Sequence, residues 1–293
     1  MAKKKIIITG ATSAIMNTVI DFIQPQKEYQ IIGITSKIKK GNRKDIEWVE
    51  CDLTMSNNNY SFINGAEMLI HAAAISNAYT LQDYLNTNFQ STKKLVDLAN
   101  HFRVNKFVYI SSVISSKTSG HYGLSKMVSE EYLKFNFKTW LILRPSVLYG
   151  YSEKAPIDSL IKKVATKNLI PCPIGDPDNL IPLYFLDAAR LIYSAIFTEK
   201  ICNTTKLLLG PEAFNYRSLV VEISRSLHKK VFIIPVPRII MMGLKNLIRL
   251  FRIKVGIYPD QIVRLYNSII NFKSTDNKKL KYLSEYIRKQ TAY

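Results

Sequence analysis

The sequence is poor in cysteine and has no long apolar run. Its three cysteines, Cys51, Cys172 and Cys202, match no zinc-binding spacing, and no metal site is predicted. An odd number of cysteines gives no disulfide framework, which favours a reducing compartment and a cytoplasmic protein. No charge-free run of about 18 apolar residues is present, which argues against a membrane-spanning helix. The basic N-terminus is followed by only three isoleucines before Thr9 and Gly10, too few for a signal peptide, so this segment is predicted to be a first strand.

Acidic residues are also scarce. The chain of 293 residues has 22 Asp and Glu against 41 Lys and Arg, a net charge of +19 and a pI near 9.7. The basic residues are spread as single lysines and pairs, and no nucleic-acid-binding motif accompanies them, so no nucleic-acid partner is predicted. A general compositional bias is the favoured explanation, although the same charge would attract an anionic substrate such as a diphosphate, or an anionic membrane face.

No internal repeat or low-complexity linker divides the chain. In the first half, short apolar runs alternate with segments of helical spacing. Strands are predicted at 5–9, 29–35, 46–49, 68–71, 106–111 and 139–143, and helices at 15–22, 84–102 and 122–135. This alternation indicates a doubly wound parallel sheet of the Rossmann type, covered on both faces. After Gly150, prolines at 156, 171, 173, 177 and 182 mark loops, and residues 151–293 are predicted to form a smaller C-terminal α/β domain with some segments returning to the sheet.

The turn between the first strand and the first helix is suited to an anion. It reads TGATSAIM over residues 9–16. In a strand-to-helix turn, backbone N–H groups and the positive end of the helix face the anion, and glycines allow a pyrophosphate to approach closely. The candidate phosphate-binding residues are Gly10, Thr12, Ser13, Ala14 and Ile15.

A Tyr-x-x-x-Lys motif begins the third predicted helix. Tyr122 and Lys126 are four residues apart, which places both side chains on one face of the helix. Hydride transfer at a carbon requires proton transfer at its oxygen. A phenol has a pKa of about 10, and a neighbouring ammonium favours the phenolate, so a tyrosine beside a lysine can act as a general acid or base.

These motifs, in this order, resemble those of the extended short-chain dehydrogenase/reductases, the NAD(P)-dependent epimerase/dehydratase superfamily. The family pattern Thr-Gly-x-x-Gly-x-x-Gly is matched at Gly10, whereas Ser13 and Met16 stand at the second and third glycines. A serine is compatible if its φ angle is permitted, and Met16 can point away from the cofactor but should alter the packing of the helix on the strand. The resemblance covers residues 4–200 and extends faintly to bacterial nucleotide-sugar 4-ketoreductases and 4-epimerases. It implies that residues 1–150 bind NAD(P) and carry the catalytic residues, and that residues 151–293 mainly bind substrate.

The resemblance also implies a set of site residues. Ser112, Tyr122 and Lys126 would be catalytic; Ser112 and Tyr122 would contact the substrate oxygen, and Lys126 would hold the nicotinamide ribose. Segments that match the family imply further cofactor contacts at Asp52, Leu53, Ala72, Ala73, Ala74, Asn88, Pro145 and Val147. A metal role for His71 is not expected, because no second ligand is suitably spaced.

The end of the second strand indicates which dinucleotide binds. NAD-specific relatives carry an acid there, which binds the ribose 2′-hydroxyl. Here Ser36 and Lys37 follow the strand, with Lys39, Lys40 and Arg43 beyond them, so a 2′-phosphate would meet a hydroxyl and cations. NADP(H) is therefore favoured over NAD(H), although an ordinary solvated basic loop would have the same composition.

The second half gives a weaker indication of the substrate. Arg217 and Arg264 are candidate contacts to a diphosphate, or else surface charges. The favoured function is NADPH-dependent reduction of a keto-sugar on a nucleotide diphosphate, in surface polysaccharide biosynthesis. The alternatives are a nucleotide-sugar 4-epimerase that retains NAD and a non-catalytic dinucleotide-sensing or scaffold protein. Family members pair through the helices at 84–102 and 122–135, so a homodimer is expected.

Residues 237–254 combine apolar and basic side chains at helical spacing. A basic amphipathic helix can lie on a membrane surface, or it can pack on the substrate domain or on a partner. Membrane contact is the less favoured of these alternatives.

Overall fold

A seven-stranded parallel sheet forms the centre of the molecule. The structure is a computed structural model that describes residues 3–38, 43–55, 59–177, 180–199, 202–251, 258–267 and 280–291. The strands of the described residues are β1 (Lys4–Thr9), β2 (Tyr29–Thr35), β3 (Glu47–Glu50), β4 (Ala66–His71), β5 (Lys106–Ile110), β6 (Trp140–Pro145), β7 (Leu148–Tyr149), β8 (Leu169–Pro173), β9 (Leu183–Tyr184), β10 (Thr204–Leu208) and β11 (Phe232–Val236), and seven of them form the central sheet. The order across the main sheet is β10-β6-β5-β4-β1-β2-β3, and every neighbouring pair is parallel. The predicted doubly wound α/β fold is confirmed.

Helices flank this sheet and build the second half. They are α1 (Ala14–Ile23), α2 (Leu81–Tyr84), α3 (Gln90–His101), α4 (Gly120–Asn136), α5 (Pro156–Thr166), α6 (Phe185–Tyr193), α7 (Tyr216–Ser226), α8 (Arg238–Phe251), α9 (Pro259–Asn267) and α10 (Leu283–Thr291). A π-helical turn, Leu85–Phe89, joins α2 to α3, so the helix predicted over 84–102 is continuous but locally wider than an α-helix.

The side chains of β1 alternate between the two faces of the sheet, because successive residues of a strand point in opposite directions. Ile6 and Ile8 pack in the layer that contains Met16 of α1, whereas Ile7 packs in the opposite layer with Leu95 of α3. All three isoleucines are fully buried. Burial of each contributes about 2 kcal/mol, so both faces of the sheet favour apolar residues and the three central positions of the strand are all isoleucine.

The second half contributes to two apolar layers. α5, β8, α7 and α10 share a buried cluster beside the sheet that includes Leu160, Cys172, Leu219 and Ile287. α6 and β10 instead pack with the Rossmann half of the chain. α6 lies beside α1 through Ala188, and β10 extends the main sheet by pairing with β6.

α8 and α9 form a small outer unit. Ile248 of α8 packs against Ile262 and Tyr266 of α9. Among the helices of the described residues, none combines the length and the apolar composition that a transmembrane segment needs.

Candidate active site

The carboxyl ends of four neighbouring strands create the candidate site. Thr9, His71, Ile110 and Pro145 end β1, β4, β5 and β6, which lie side by side in the sheet. In an open parallel sheet, ligands bind at this edge, next to the point where the strand order reverses. That point lies between β1 and β4, so the phosphate-binding turn and the loop after β4 face the same crevice.

Gly10 lets two backbones come into close contact. Its φ is +67°, and a Cβ placed on it would lie 2.8 Å from the backbone nitrogen of Ala73 and 2.9 Å from the carbonyl carbon of Ala72. The Thr9 hydroxyl accepts the N–H groups of Ala72 and Ala73 at 3.2 Å each. The first and fourth strand ends are therefore joined through backbone, and a side chain at residue 10 would separate them.

The two replaced glycines need no special backbone geometry here. Ser13 has φ −71° and ψ 148°, an extended conformation open to any residue, and its hydroxyl accepts the N–H of Met16 as the N-cap of α1. Met16 is fully buried in the sheet core, so its side chain points away from the crevice. The turn that contains Thr12 therefore still leads into a capped helix N-terminus, and Ala14 and Ile15 are the first residues of that helix.

The polar residues after β2 and β3 lie on adjacent strand ends, because Thr35 and Glu50 are paired. Ser36 and Lys37 are exposed, whereas Leu53 is buried. The Asp52 carboxylate accepts the N–H of Thr54 at 2.9 Å and its hydroxyl at 2.7 Å, and these hydrogen bonds lower the pKa of Asp52.

Arg43 does not join this group. It forms ion pairs with Asp21 at 2.9 Å and Asp45 at 2.5 Å and donates to the carbonyl of Asn17. The charge of Arg43 is thus balanced by two carboxylates. Lys39 and Lys40 lie outside the described residues.

Asn88 connects the loop after β4 to the catalytic helix. Its side-chain amide bonds both the N–H and the carbonyl of Ile75, at 2.9 and 3.0 Å, and donates to the Ser125 hydroxyl at 3.0 Å. Asn88 is buried and sits in the π-helical turn. Asn88, which is predicted to contact the cofactor, therefore bridges the segment that begins at Ala72–Ala74 to α4.

Lys126 is buried one helical turn after the tyrosine of its motif. Its ammonium donates to the carbonyl of Ile110 at 2.9 Å and lies 4.5 Å from the ring centre of Tyr109. Burial lowers the pKa of Lys126, while the nearby charges of Tyr122 and Glu130 act in the opposite direction. Because only 2% of Lys126 is exposed, this is not a surface lysine.

Tyr122 lies half-buried between an aromatic ring and a cation. The ring of Tyr84 meets it edge-on at 6.1 Å, and the guanidinium of Arg264 lies 5.1 Å from its ring centre. Arg264 also pairs with Asp260 at 3.1 Å and donates to the carbonyl of Ser76 at 3.0 Å. Arg264, predicted to contact a diphosphate, thus packs on Tyr122 and bonds Asp260 and Ser76 in this structure.

The two serines after β5 have different surroundings. Ser111 is buried and donates to Glu130, whose carboxylate also receives two hydrogen bonds from Arg144, at 2.9 and 2.5 Å. Ser112 is half-buried, and its hydroxyl accepts a long 3.5 Å contact from Ile114. Ser112 is thus the serine whose hydroxyl remains available to a substrate.

Pro145 and Val147 lie beside this serine pair. The carbonyl of Pro145 accepts the N–H of Val113 at 3.2 Å, and both Pro145 and Val147 are half-buried. Arg217 is exposed on α7, where it lines a cavity of about 380 Å³ with Asn215 and Glu222.

His71 has a structural role in this network. Its Nδ1 lies 2.6 Å from the Thr9 hydroxyl and its Nε2 3.0 Å from that of Thr92, which donates onward to the carbonyl of Asn88. These partners assign the Nε2–H tautomer. Burial, aided by the charge of Lys126, lowers the pKa of His71 to about 3, so the ring is neutral. Across the residues that the structure describes, no three His, Cys, Asp or Glu side chains group as a metal site would require.

Three important residues escaped the sequence analysis. Glu130 lies four residues after Lys126 on the same helix, and this spacing could have indicated it. Arg144, which directly precedes the predicted cofactor contact Pro145, is the ion-pair partner of Glu130. Asp260 gave no local signal, because its partners His121 and Tyr122 are far away in sequence.

Comparison with known proteins agrees with this arrangement. Residues 6–196 match the model of the NAD dependent epimerase/dehydratase family. No curated protein sequence is significantly similar to the chain. One similar solved structure is a nucleoside-diphosphate-sugar epimerase from Staphylococcus aureus, with a TM-score of 0.75 and 14% identity over 97% of this chain and 99% of that chain.

Two further solved structures have similar folds. One is the dTDP-glucose 4,6-dehydratase of Bacillus anthracis in complex with NAD, with a TM-score of 0.63 and 17% identity over 80% of this chain and 84% of that chain. The other is a dTDP-4-dehydrorhamnose reductase from Clostridium acetobutylicum, with a TM-score of 0.60 and 18% identity over the same two shares. Since the family model spans well over half of the residues, the chain belongs to the NAD dependent epimerase/dehydratase family of enzymes, as its motifs predicted.

Proposed function

We propose that the protein is an NAD(P)-dependent oxidoreductase that reduces a keto-sugar carried on a nucleotide diphosphate. The observation that carries this proposal is the burial of Lys126 against Ile110 and Tyr109, one helical turn from the half-buried Tyr122. A lysine on a helix is ordinarily a solvated surface residue. A buried ammonium one helical turn from a tyrosine favours the phenolate and so supports proton transfer by Tyr122 at a substrate oxygen.

The crevice at the carboxyl edge fits a nicotinamide dinucleotide. A Cβ at Gly10 would collide with Ala72 and Ala73, and the first turn of α1 presents backbone N–H groups to an anion. The pyrophosphate would be held by Gly10, Thr12, Ser13, Ala14 and Ile15. The remaining cofactor contacts would be Ser36, Lys37, Asp52, Leu53, Ala72, Ala73, Ala74, Asn88, Tyr122, Lys126, Pro145 and Val147. When bound, the dinucleotide supplies the hydride.

Three side chains take part in the proton transfer. Tyr122 donates its phenolic proton to the carbonyl oxygen of the sugar while the carbon is reduced, and Ser112 donates a hydrogen bond to the same oxygen. The ammonium of Lys126 stabilises the phenolate that results. A charge on Tyr122 raises the pKa of Lys126 against the effect of burial, so the lysine holds its proton most firmly when the phenolate has formed.

NADPH is the proposed hydride source. Ser36 and Lys37 are exposed at the end of β2, where an acid would repel a 2′-phosphate, and neither is an acid. Arg43 is left out of this site because its charge is balanced by Asp21 and Asp45.

The proposed substrate is a nucleotide-diphosphate sugar. Arg217, an exposed cation on α7, would contact the diphosphate, whereas Arg264 would shape the pocket around Tyr122. The three similar solved structures are a nucleoside-diphosphate-sugar epimerase, a dTDP-glucose 4,6-dehydratase and a dTDP-4-dehydrorhamnose reductase. We further propose a homodimer that pairs through α3 and α4, a cytoplasmic location and a role in surface polysaccharide biosynthesis.

The test is turnover. Purified protein is mixed with NADPH and a nucleotide-diphosphate 4-keto-sugar, and the loss of nicotinamide absorbance is followed. Tyr122→Phe should lower kcat by a factor of about 10² to 10⁴ while dinucleotide binding persists. Tyr84→Phe, which removes the hydroxyl of the neighbouring buried ring, is the matched control and should retain most activity. Epimerisation with retained NAD and no net NADPH loss would replace reduction by epimerisation, and a folded protein that binds no dinucleotide would overturn the enzyme assignment.

A further inference from the structure

α8 presents its apolar side to solvent. Six of its side chains are exposed although they are large and apolar: Ile239, Ile240, Leu244, Leu247, Leu250 and Phe251. Ile239 is 80% exposed and Leu250 74%, whereas Ile248 is the buried residue that attaches the helix to α9. Scattered single apolar residues on a surface are common, but a contiguous apolar face of this size marks an interaction site.

The exposed residues form one continuous face. At about 100° per residue, the six positions fall within an arc of roughly 140° around the helix. Arg238, Lys245 and Arg249 lie together on the opposite side. The helix is attached to the protein outside this arc: Arg238 stacks over the ring of Tyr266 at 5.1 Å, and Ile248, about 40° beyond the edge of the arc, packs on Ile262. The apolar arc therefore points away from α9.

The charge around α8 has a single sign. Between Glu222 and Asp260 the sequence contains eight Lys or Arg residues and no Asp or Glu. A second copy of this chain docked on the same face would bring two such basic segments together, which like-charge repulsion disfavours. An anionic surface that accepts apolar side chains matches both properties of the segment.

We propose that α8 lies in the surface of an anionic lipid bilayer. The apolar arc enters the boundary between headgroups and acyl chains, and the basic side chains remain at the level of the lipid phosphates. The same helix rests on α9, which carries Asp260 and Arg264 at Tyr122, so the active-site crevice is held one helix away from the lipid. The proposal stands independently of which sugar or reaction the site handles.

The test is co-sedimentation of the purified full chain with lipid vesicles. Vesicles of phosphatidylglycerol mixed with phosphatidylcholine should carry the protein down, and vesicles of phosphatidylcholine alone should carry much less. The double variant Leu247→Gln and Leu250→Gln should weaken binding by about tenfold or more, since both side chains would enter the bilayer. Arg249→Gln should weaken binding to the anionic vesicles, and added salt should do the same.

Phe135→Gln is the matched control, because Phe135 is also strongly exposed but lies at the far end of α4. It should bind vesicles as the unaltered protein does, and thermal unfolding should show that all variants are folded. Failure of the unaltered protein to bind anionic vesicles would overturn the proposal, as would equal binding by the Leu247/Leu250 variant. A concentration-dependent dimer that this double variant abolishes, without vesicle binding, would assign the face to a second copy instead.

Discussion

The carboxylate of Asp260 accepts a hydrogen bond from the backbone N–H of His121 at 2.6 Å. Its second oxygen accepts the N–H of Tyr122 at 3.3 Å. A residue of α9 thus caps the helix that begins with the Tyr-x-x-x-Lys motif, and its negative charge stands at the positive end of that helix. Gly120, with φ +76°, is required beside it, because a Cβ there would lie 2.2 Å from Asp260.

Asp260→Asn should weaken both the fold and the reaction. The asparagine removes the charge that faces the helix N-terminus and Arg264, and it leaves Arg264 without its ion pair. We expect the free energy of unfolding to fall by about 1–3 kcal/mol and kcat to fall with little change in KM, since Tyr122 loses its alignment. Asp97→Asn, the same change at an exposed ion pair with Lys93, should lower stability by less than about 1 kcal/mol and leave kcat intact. Equal kinetics for both variants would contradict a positioning role for Asp260.

Gly10→Ala should abolish dinucleotide binding, and Gly65→Ala should not. Both glycines have positive φ, +67° and +71°, so both variants lose about 1 kcal/mol of stability through backbone strain. Only at Gly10 does the new Cβ meet backbone, at 2.8 Å from Ala73, whereas nothing lies within 4 Å at Gly65. Urea unfolding and NADPH fluorescence titration separate the two effects. Retained NADPH binding by a folded Gly10→Ala variant would contradict the crevice as the cofactor site.

Ser111→Ala and Ser112→Ala should have opposite consequences. Ser111 is buried on Glu130, so its loss leaves the carboxylate short of a donor and should cost about 1–3 kcal/mol of stability. Ser112→Ala should leave unfolding nearly unchanged and lower kcat by about tenfold or more, since the hydrogen bond to the substrate oxygen is lost. Denaturant melts and steady-state kinetics on both variants are the measurements. A reversed pattern would transfer the catalytic role to Ser111.

Stability should fall in mild acid because of His71. The unfolded imidazole takes up a proton below its ordinary pKa of 6.5, whereas the folded ring stays neutral until about pH 3. The unfolded state therefore binds more protons between these limits, and the ring's contribution to stability is lost at about 1.4 kcal/mol per pH unit as pH falls. His71→Gln should flatten this dependence, and His101→Gln, at an exposed site, should not. Parallel curves for His71→Gln and the unaltered protein would contradict the buried neutral ring.

The sequence predicted the fold well where the signal was local. The strands, α1 and α4 pack against the two faces of the sheet through regularly spaced apolar residues. The periodicity of the sequence was therefore enough to locate these elements. The π-helical turn was not predicted; it contains Asn88, whose partners Ile75 and Ser125 lie outside the helix.

Site residues whose contacts are distant in the sequence were harder to predict from the sequence. Ser13 could be evaluated only once its φ of −71° was known, since a serine fits or fails according to that angle. The packing of Arg264 on Tyr122 was not predicted, for a similar reason. A cation in the second half is as compatible with a diphosphate as with a tyrosine ring, and only the position of α9 against α4 distinguishes them.

The proposal that a nicotinamide dinucleotide binds against Lys126 is tested most directly by titration of the purified protein with NADPH and with NADH. Nicotinamide fluorescence is followed for the unaltered chain and for Lys126→Met. Methionine keeps the buried volume of the lysine stem and removes its ammonium, so the fold should persist. We expect saturable binding, tighter for NADPH than for NADH, that weakens by about tenfold or more in the variant. Binding of neither dinucleotide by the folded protein, or unchanged binding in Lys126→Met, would contradict it.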